Sequence, residues 1–220
     1  MAAMDLNKFL RIPAAFIAAN WAGLLAVLTV VGLVPGLAGN VRVVSDLDGQ
    51  AETSGTVVLR QLRRTAWRDL PVSLALWVYA IAGAATVWLM VVAFDGGVRV
   101  FFAGVLIPVY WVVGALLAAY VRTAGTLPFD ATRAEVFAET TRLVLTRPVR
   151  ALAMVAGVLL LAPVWVLAPI TIACGITLPA WLLGKVWGPS PMPTAAQRLE
   201  QQDASRDLDS WGLDGSAAHA

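Results

Sequence analysis

Residues 100–121 read VFFAGVLIPVYWVVGALLAAYV, and not one of them is Asp, Glu, Lys or Arg. An α-helix rises about 1.5 Å per residue, so this stretch is long enough to cross the roughly 30 Å hydrocarbon core of a bilayer. Three further runs, 12–41, 70–94 and 151–184, also lack acidic and basic side chains. Uncharged apolar runs of about 18 residues or more are candidate spans. Composition agrees: hydrophobic residues make up 59% and charged residues 14% of the chain, against roughly 45–50% and 25% in globular chains. The expected fold class is all-α, a polytopic transmembrane helix bundle.

Outward from that run, about five spans are expected. The first, 12–35, ends at Pro35-Gly36, a pair that stops a helix. Residues 36–55 are polar and mixed, a loop with room for a short helix. In 56–70, Val58, Leu59, Leu62 and Ala66 recur at helical spacing and Arg60, Arg63, Arg64 and Arg68 spread over the rest, which predicts an amphipathic loop helix. Pro71 takes a first-turn position of the second span, 71–94. Asp95-Gly96-Gly97 connects tightly to the third, 99–121. A second polar loop, 122–147, carries an amphipathic helix with Asp130 as its N-cap, stopping before Pro148.

Residues 148–187 would make about 60 Å of helix, twice the bilayer core. They divide into spans 148–167 and 169–187, with the turn near Pro163 and Pro169. The membrane domain is thus 1–187, and 188–220 reads as a disordered cytoplasmic tail. Lys8 and Arg11 precede an apolar run about twice as long as the 7–15 residues of a signal-peptide core, so that run reads as an uncleaved span.

With five spans, one side collects thirteen Arg and Lys residues and the other three, namely Lys8, Arg11 and Arg99. The positive-inside rule then puts both long loops and the C-terminus in the cytoplasm and the N-terminus outside. The flanks of the first span alone, Lys8 and Arg11 against Arg42, favour the opposite sense for the N-terminus.

Chemistry-bearing clusters are missing from the pattern. The one histidine, His219, and the one cysteine, Cys174, leave no His-based triad and no Cys-based metal site, and no Gly-rich phosphate loop occurs. No catalysis and no cofactor are expected, nor is nucleic acid a partner. No ionisable group falls inside an expected span, where carriers coupled to ions usually place one. Asn20 does fall inside, and its expected role is a hydrogen bond between helices. The carboxylates Asp130, Glu135 and Glu139 suit helix-start partners better than a cation site.

The basic loop helices carry the functional expectation. Both place an amphipathic segment before a proline and a span: LRQLRRTAWRDLP at 59–71 and TTRLVLTRP at 140–148. Arg60, Arg63, Arg64, Arg68, Arg142 and Arg147 are candidates for anchoring on the anionic bilayer surface or docking a cytoplasmic partner such as a transporter subunit or ATPase.

With Asn20-Trp21 opening a first span that closes on Leu33-Val34-Pro35, Leu62-Arg63-Arg64-Thr65-Ala66-Trp67 leading into the second, and Thr141-Arg142-Leu143-Val144-Leu145-Thr146-Arg147-Pro148 before the last, the chain resembles the YesL-like family of bacterial membrane proteins. It departs from that family's pattern after Pro35, where it reads Gly-Leu-Ala-Gly. The resemblance implies a small multi-pass protein of the bacterial cell membrane linked to sugar uptake systems, and transfers no functional residue. The leading functional expectation is an accessory or permease-like component linked to solute transport, carbohydrate included. The alternative is a structural or regulatory membrane protein whose arginine-rich loop helices bind a cytoplasmic partner or anionic lipid.

Overall fold

In the computed structural model, which describes residues 6–188, the first apolar run forms helix α1, Leu6–Val27. Thr29 then closes a turn: its hydroxyl donates to the Ala26 carbonyl at 2.7 Å and accepts the Gly32 amide at 3.0 Å. Helix α2, Leu33–Ser45, starts at once. Pro35 therefore opens a helix instead of closing one, because a proline in the first turn has no intrahelical N–H to lose. Most of the loop expected at 36–55 is also helical, with α3 at Leu47–Gln50 and a 3-10 turn at Ala51–Thr53 after α2. Nine of the 13 residues of α2 are buried, which makes it the axis of the bundle.

Helix α4 runs unbroken from Ser54 to Val92 through Pro71, joining the expected loop helix to the second span. Gly96, at φ +44°, starts α5, Gly96–Thr126, which returns alongside. α6 spans Arg133–Thr146. Its N-cap is Thr132 and not Asp130: the Thr132 hydroxyl accepts the Glu135 amide while the Glu135 carboxylate accepts the Thr132 amide. This reciprocal capping box satisfies two amides at once, which Asp130 at its position does not.

The last apolar run divides as length demands, though into four pieces: α7 Pro148–Leu160, α8 Ala162–Val166, α9 Ala168–Cys174 and α10 Thr177–Trp187. The chain turns at Leu167, which leaves the helical region at ψ 92°, and α9 and α10 meet at 60°. The fold is an all-α bundle, with no strand among the described residues. Four helices are long and apolar enough to cross a membrane, five with the bent pair taken as one, as suits a multi-pass membrane protein.

Two details revise the expected layout. Arg11 near the start of α1 pairs with Glu52 just before α4 at 3.2 Å, and the Ala18 carbonyl lies beside Gly55. Farther along, Ser73 donates to the Val31 carbonyl and accepts the Val34 amide. So α1 and the first half of α4 run the same way, α2 runs back between them, and α1 begins at the arginine-bearing end of the bundle. At 13 residues α2 is too short to cross a bilayer by itself and is not among the membrane-length helices. The other revision concerns burial. The buried positions of α4 stop at Ser73, and those of α5 begin at Ala115. Between them lies an apolar helical hairpin with Ile81, Trp88, Val100 and Phe101 all exposed.

Candidate functional site

In 56–70 the apolar residues at helical spacing are Val58, Leu59, Leu62 and Ala66. The buried stripe of α4 is instead Ser54, Val58, Gln61, Thr65, Asp69 and Val72, spaced by three and four residues, with Ser73 beside its end. Leu59 is exposed. Polar side chains win the inner face because partners are waiting there. Arg42 of α2 donates from Nε to Gln61 Oε1 at 3.1 Å and from Nη2 to the Leu127 carbonyl, with Phe129 stacked 4.3 Å from its guanidinium carbon. Gln61 Nε2 donates to Thr65 Oγ1 and to the Ala124 carbonyl of α5.

One turn on, Asp69 is fully buried. It accepts Arg68 Nε at 2.8 Å and Nη2 at 3.0 Å as a fork, and the Tyr120 hydroxyl of α5 at 2.9 Å. A buried carboxylate is tolerated only when paired and hydrogen-bonded in this way. Ionisable groups are therefore buried in the bundle outside the expected spans; Arg42 and Asp69 gave no signal because each falls just beyond an uncharged run.

Pro71 adds a further link. A proline inside a helix leaves the carbonyl four residues back without its N–H. That carbonyl belongs to Trp67, and Arg133 of α6 donates to it from Nη2 at 3.2 Å and to the Arg68 carbonyl from Nε at 2.8 Å. Arg133 is a positioning residue that sequence reasoning missed, although a proline inside a helix announces a carbonyl needing a donor.

The six candidate arginines fall into two groups. Arg68 is spent on Asp69 and the Ala131 carbonyl, Arg142 on Glu139 at 2.6 Å, and Arg147 donates to the Trp187 carbonyl at 2.8 Å. Hydrogen bonds from Arg142 hold the Glu139 carboxyl below its usual range. Arg60, Arg63 and Arg64 are exposed on the outer face of α4 and make no ion pair among the described residues, although Arg64 stands over Phe129 at 5.6 Å. Leu59 and Trp67 flank them, with Trp67 80% exposed. α4 thus presents a basic stripe edged by two large apolar side chains.

Asn20 stands apart from these groups. Fully buried, it donates from Nδ2 to the Thr171 and Ile172 carbonyls and accepts the Ile176 and Thr177 amides on Oδ1, bridging α1 to the broken junction of α9 and α10. The Thr177 hydroxyl completes the cluster by donating to Asn40 Oδ1 of α2 at 2.8 Å. Asn20 thereby serves four backbone groups at the helix break, of which the Thr171 carbonyl also accepts the Gly175 amide. The expected tail, 188–220, lies outside the described residues apart from Gly188.

Deep among the helices is a cavity of about 330 Å³ whose walls include Leu76, Gly114, Ala118, Met154 and Leu183. Tyr79 is its one side-chain hydroxyl apart from the main chain, and that group donates to the Tyr110 carbonyl. No family model, curated protein or solved structure matches the chain.

Proposed function

We propose that the chain is an accessory membrane protein that docks a partner on the basic outer face of α4 and is not itself a solute path. The observation that carries this reading is the trio Arg60, Arg63 and Arg64, exposed and without ion pairs among the described residues, between Leu59 and Trp67. Charge-depleted aromatic contacts ringed by arginine are how docking surfaces gain affinity. An apolar cavity whose polar side-chain groups, the Tyr79 hydroxyl and the Trp165 indole N–H, are both engaged with carbonyls supports an accessory role over a permease.

The partner such a face selects is acidic. In the cell membrane of a bacterium, with the arginine-bearing end in the cytoplasm, a transporter subunit or its ATPase fits, as the resemblance to YesL-like proteins suggests. Orientation by positive charge also suits an N-terminus inside, since α1 starts at that same end.

The test is co-purification from native membranes in mild detergent, quantified for wild type, an R60E/R63E/R64E variant and an R142E control. A transporter subunit or ATPase retained by wild type and by the control, and reduced about tenfold by the triple reversal, supports the reading; tenfold corresponds to about 1.4 kcal/mol. Equal recovery with all three proteins, or no such partner with any, overturns it. If the reversal instead releases only anionic lipid, the face is a bilayer anchor.

A further inference from the structure

At the far end of the bundle from Asn20, three arginines gather around the last turn of α10. Gly188 terminates that helix with φ +83°, a left-handed conformation that glycine adopts without strain. Its carbonyl accepts Arg122 Nη2 at 2.8 Å, and the Trp187 carbonyl accepts Arg147 Nη1 at 2.8 Å. Arg150 reaches to 4.0 Å of the place a β-carbon on Gly188 would take. Capping a helix C-terminus with cations is favourable, but it uses one donor from each of two guanidinium groups that carry five apiece.

What remains is unusual. Arg122 is 4% exposed and Trp187 2%, yet Arg122 Nη1 and Trp187 Nε1 have no hydrogen-bond partner among the described residues. None of the three arginines contacts a carboxylate among the described residues. Buried donors left unpaired cost free energy, the more so on a charged group. A cluster of this kind is complementary to an anion with several acceptor oxygens.

The three helices α5, α7 and α10 that meet there also line part of the apolar cavity, with Leu37, Tyr79 and Trp165 adding walls from α2, α4 and α8. Val121 and Leu183 line it next to Arg122 and one turn before Trp187, and Met154 lines it one turn after Arg150. A turn is about 5.4 Å. The arginines are not in the cavity wall but lie about one turn beyond it, so that charge and hydrocarbon adjoin as they do in an amphiphile. We infer that this is a binding site for one anionic glycerophospholipid, its phosphate held by Arg122, Arg147 and Arg150 and an acyl chain in the cavity between α5, α7 and α10. The site is separate from the basic face of α4, and neither reading depends on the other.

The test uses the full chain purified in a neutral detergent. Thermal unfolding midpoints and native mass spectra are recorded with phosphatidylglycerol, with phosphatidylcholine of the same chains, and with inorganic phosphate. Phosphatidylglycerol is expected to bind and raise the midpoint; the other two are expected to do neither at equal concentration. R147A/R150A, which leaves buried Arg122 in place, should weaken phosphatidylglycerol at least tenfold. Ala118→Phe, which fills the cavity, should weaken it while leaving the three arginines intact, and R60E/R63E/R64E should bind as wild type. Equal binding of phosphatidylcholine, or unchanged binding by R147A/R150A, overturns the proposal. So does an equal shift from inorganic phosphate, which would make the arginines a site for a soluble anion. A fall in the lipid-free midpoint of R147A/R150A with no phosphatidylglycerol effect on wild type also overturns it, assigning the arginines to holding the chain's own C-terminal segment.

Discussion

Helix α4 is one continuous object with two different halves. From Ser54 to Ser73 it buries a stripe in which five of seven residues are polar or charged, and Gln61, Thr65, Asp69 and Ser73 are answered by groups from α2, the turn before it, α5 or α4 itself. Beyond Ser73 it buries none, and its partner α5 buries none before Ala115. The two are joined there by the Tyr79 hydroxyl on the Tyr110 carbonyl and by Thr86 with the Tyr110 hydroxyl at 3.1 Å. The first half is specified by matched partners and the second by its solvent. In hydrocarbon the exposed Ile81 and Trp88 cost nothing, whereas in water the same hairpin would be a large apolar patch.

That contrast can be broken most severely at Asp69. Replacing it with alanine strands Arg68 and the Tyr120 hydroxyl, and breaking a buried pair in this way costs about 3–5 kcal/mol. Unfolding midpoints in detergent should fall accordingly, and Asp69→Asn, which still accepts from Tyr120, should fall less. A midpoint unchanged in Asp69→Ala would show that the seam does not hold the body together.

Glycines sharpen the comparison at the next scale. A β-carbon on Gly125 would sit 2.6 Å from the Ala38 carbonyl and 2.9 Å from Val41, so Gly125→Val must part α5 from α2. Overpacking of that kind costs about 1–3 kcal/mol. Gly104, in the hairpin, has nothing within 4 Å. Gly104→Val should leave the midpoint within about 0.5 kcal/mol of wild type. Equal effects at the two sites would erase the distinction between the halves.

The hinge between the halves is smaller still. Arg133→Ala removes the donor to the Trp67 carbonyl, while Pro71→Ala restores an N–H to it. The double variant should therefore be less destabilised than the sum of the singles, with a coupling of about 0.5–1.5 kcal/mol in a double-mutant cycle. Strict additivity would mean that Arg133 does not serve the proline.

The smallest effect is on the surface of α6. The Glu139 carboxyl is held below its ordinary value of 4.5 by hydrogen bonds from Arg142. A lowered carboxyl pKa contributes stability that is complete above the ordinary value and is lost as pH falls through the lowered one. Wild type should therefore exceed Glu139→Gln slightly at neutral pH, with the gap closing as pH falls below that ordinary value and shrinking in high salt. A gap that widens in acid would contradict this sign.

Much of this architecture was legible in the sequence, and for one reason. Hydropathy is additive along a chain, so four uncharged runs announced apolar helices without knowledge of any neighbour. The turn between Pro163 and Pro169 followed from length alone. Pairings are not additive. Pro35 reads as a helix stop until Gly32 is seen to leave it in a first turn. Gln61, Thr65 and Asp69 look like an outer face until Arg42, Ala124 and Tyr120 arrive from far along the chain. Arg60, Arg63 and Arg64 were visible as candidates, but that Arg68 and Arg142 are already engaged is a fact of side-chain geometry. Arg122 gave no local signal, because its interest lies in one buried donor, Nη1, that has no partner among the described residues.

The most direct test of the two-halves account is spin labelling along α4 in lipid bilayers, on a Cys174→Ala background. Single labels at Thr56, Arg60, Arg63, Leu74, Val78, Ile81 and Trp88 would be compared for collision with oxygen, which concentrates in hydrocarbon, and with a water-soluble nickel chelate. Nickel should dominate at 56, 60 and 63 and oxygen from 78 to 88, with the crossover near Ser73, where burial ends. Nickel access throughout residues 78–88, or a crossover far from Ser73, would contradict it.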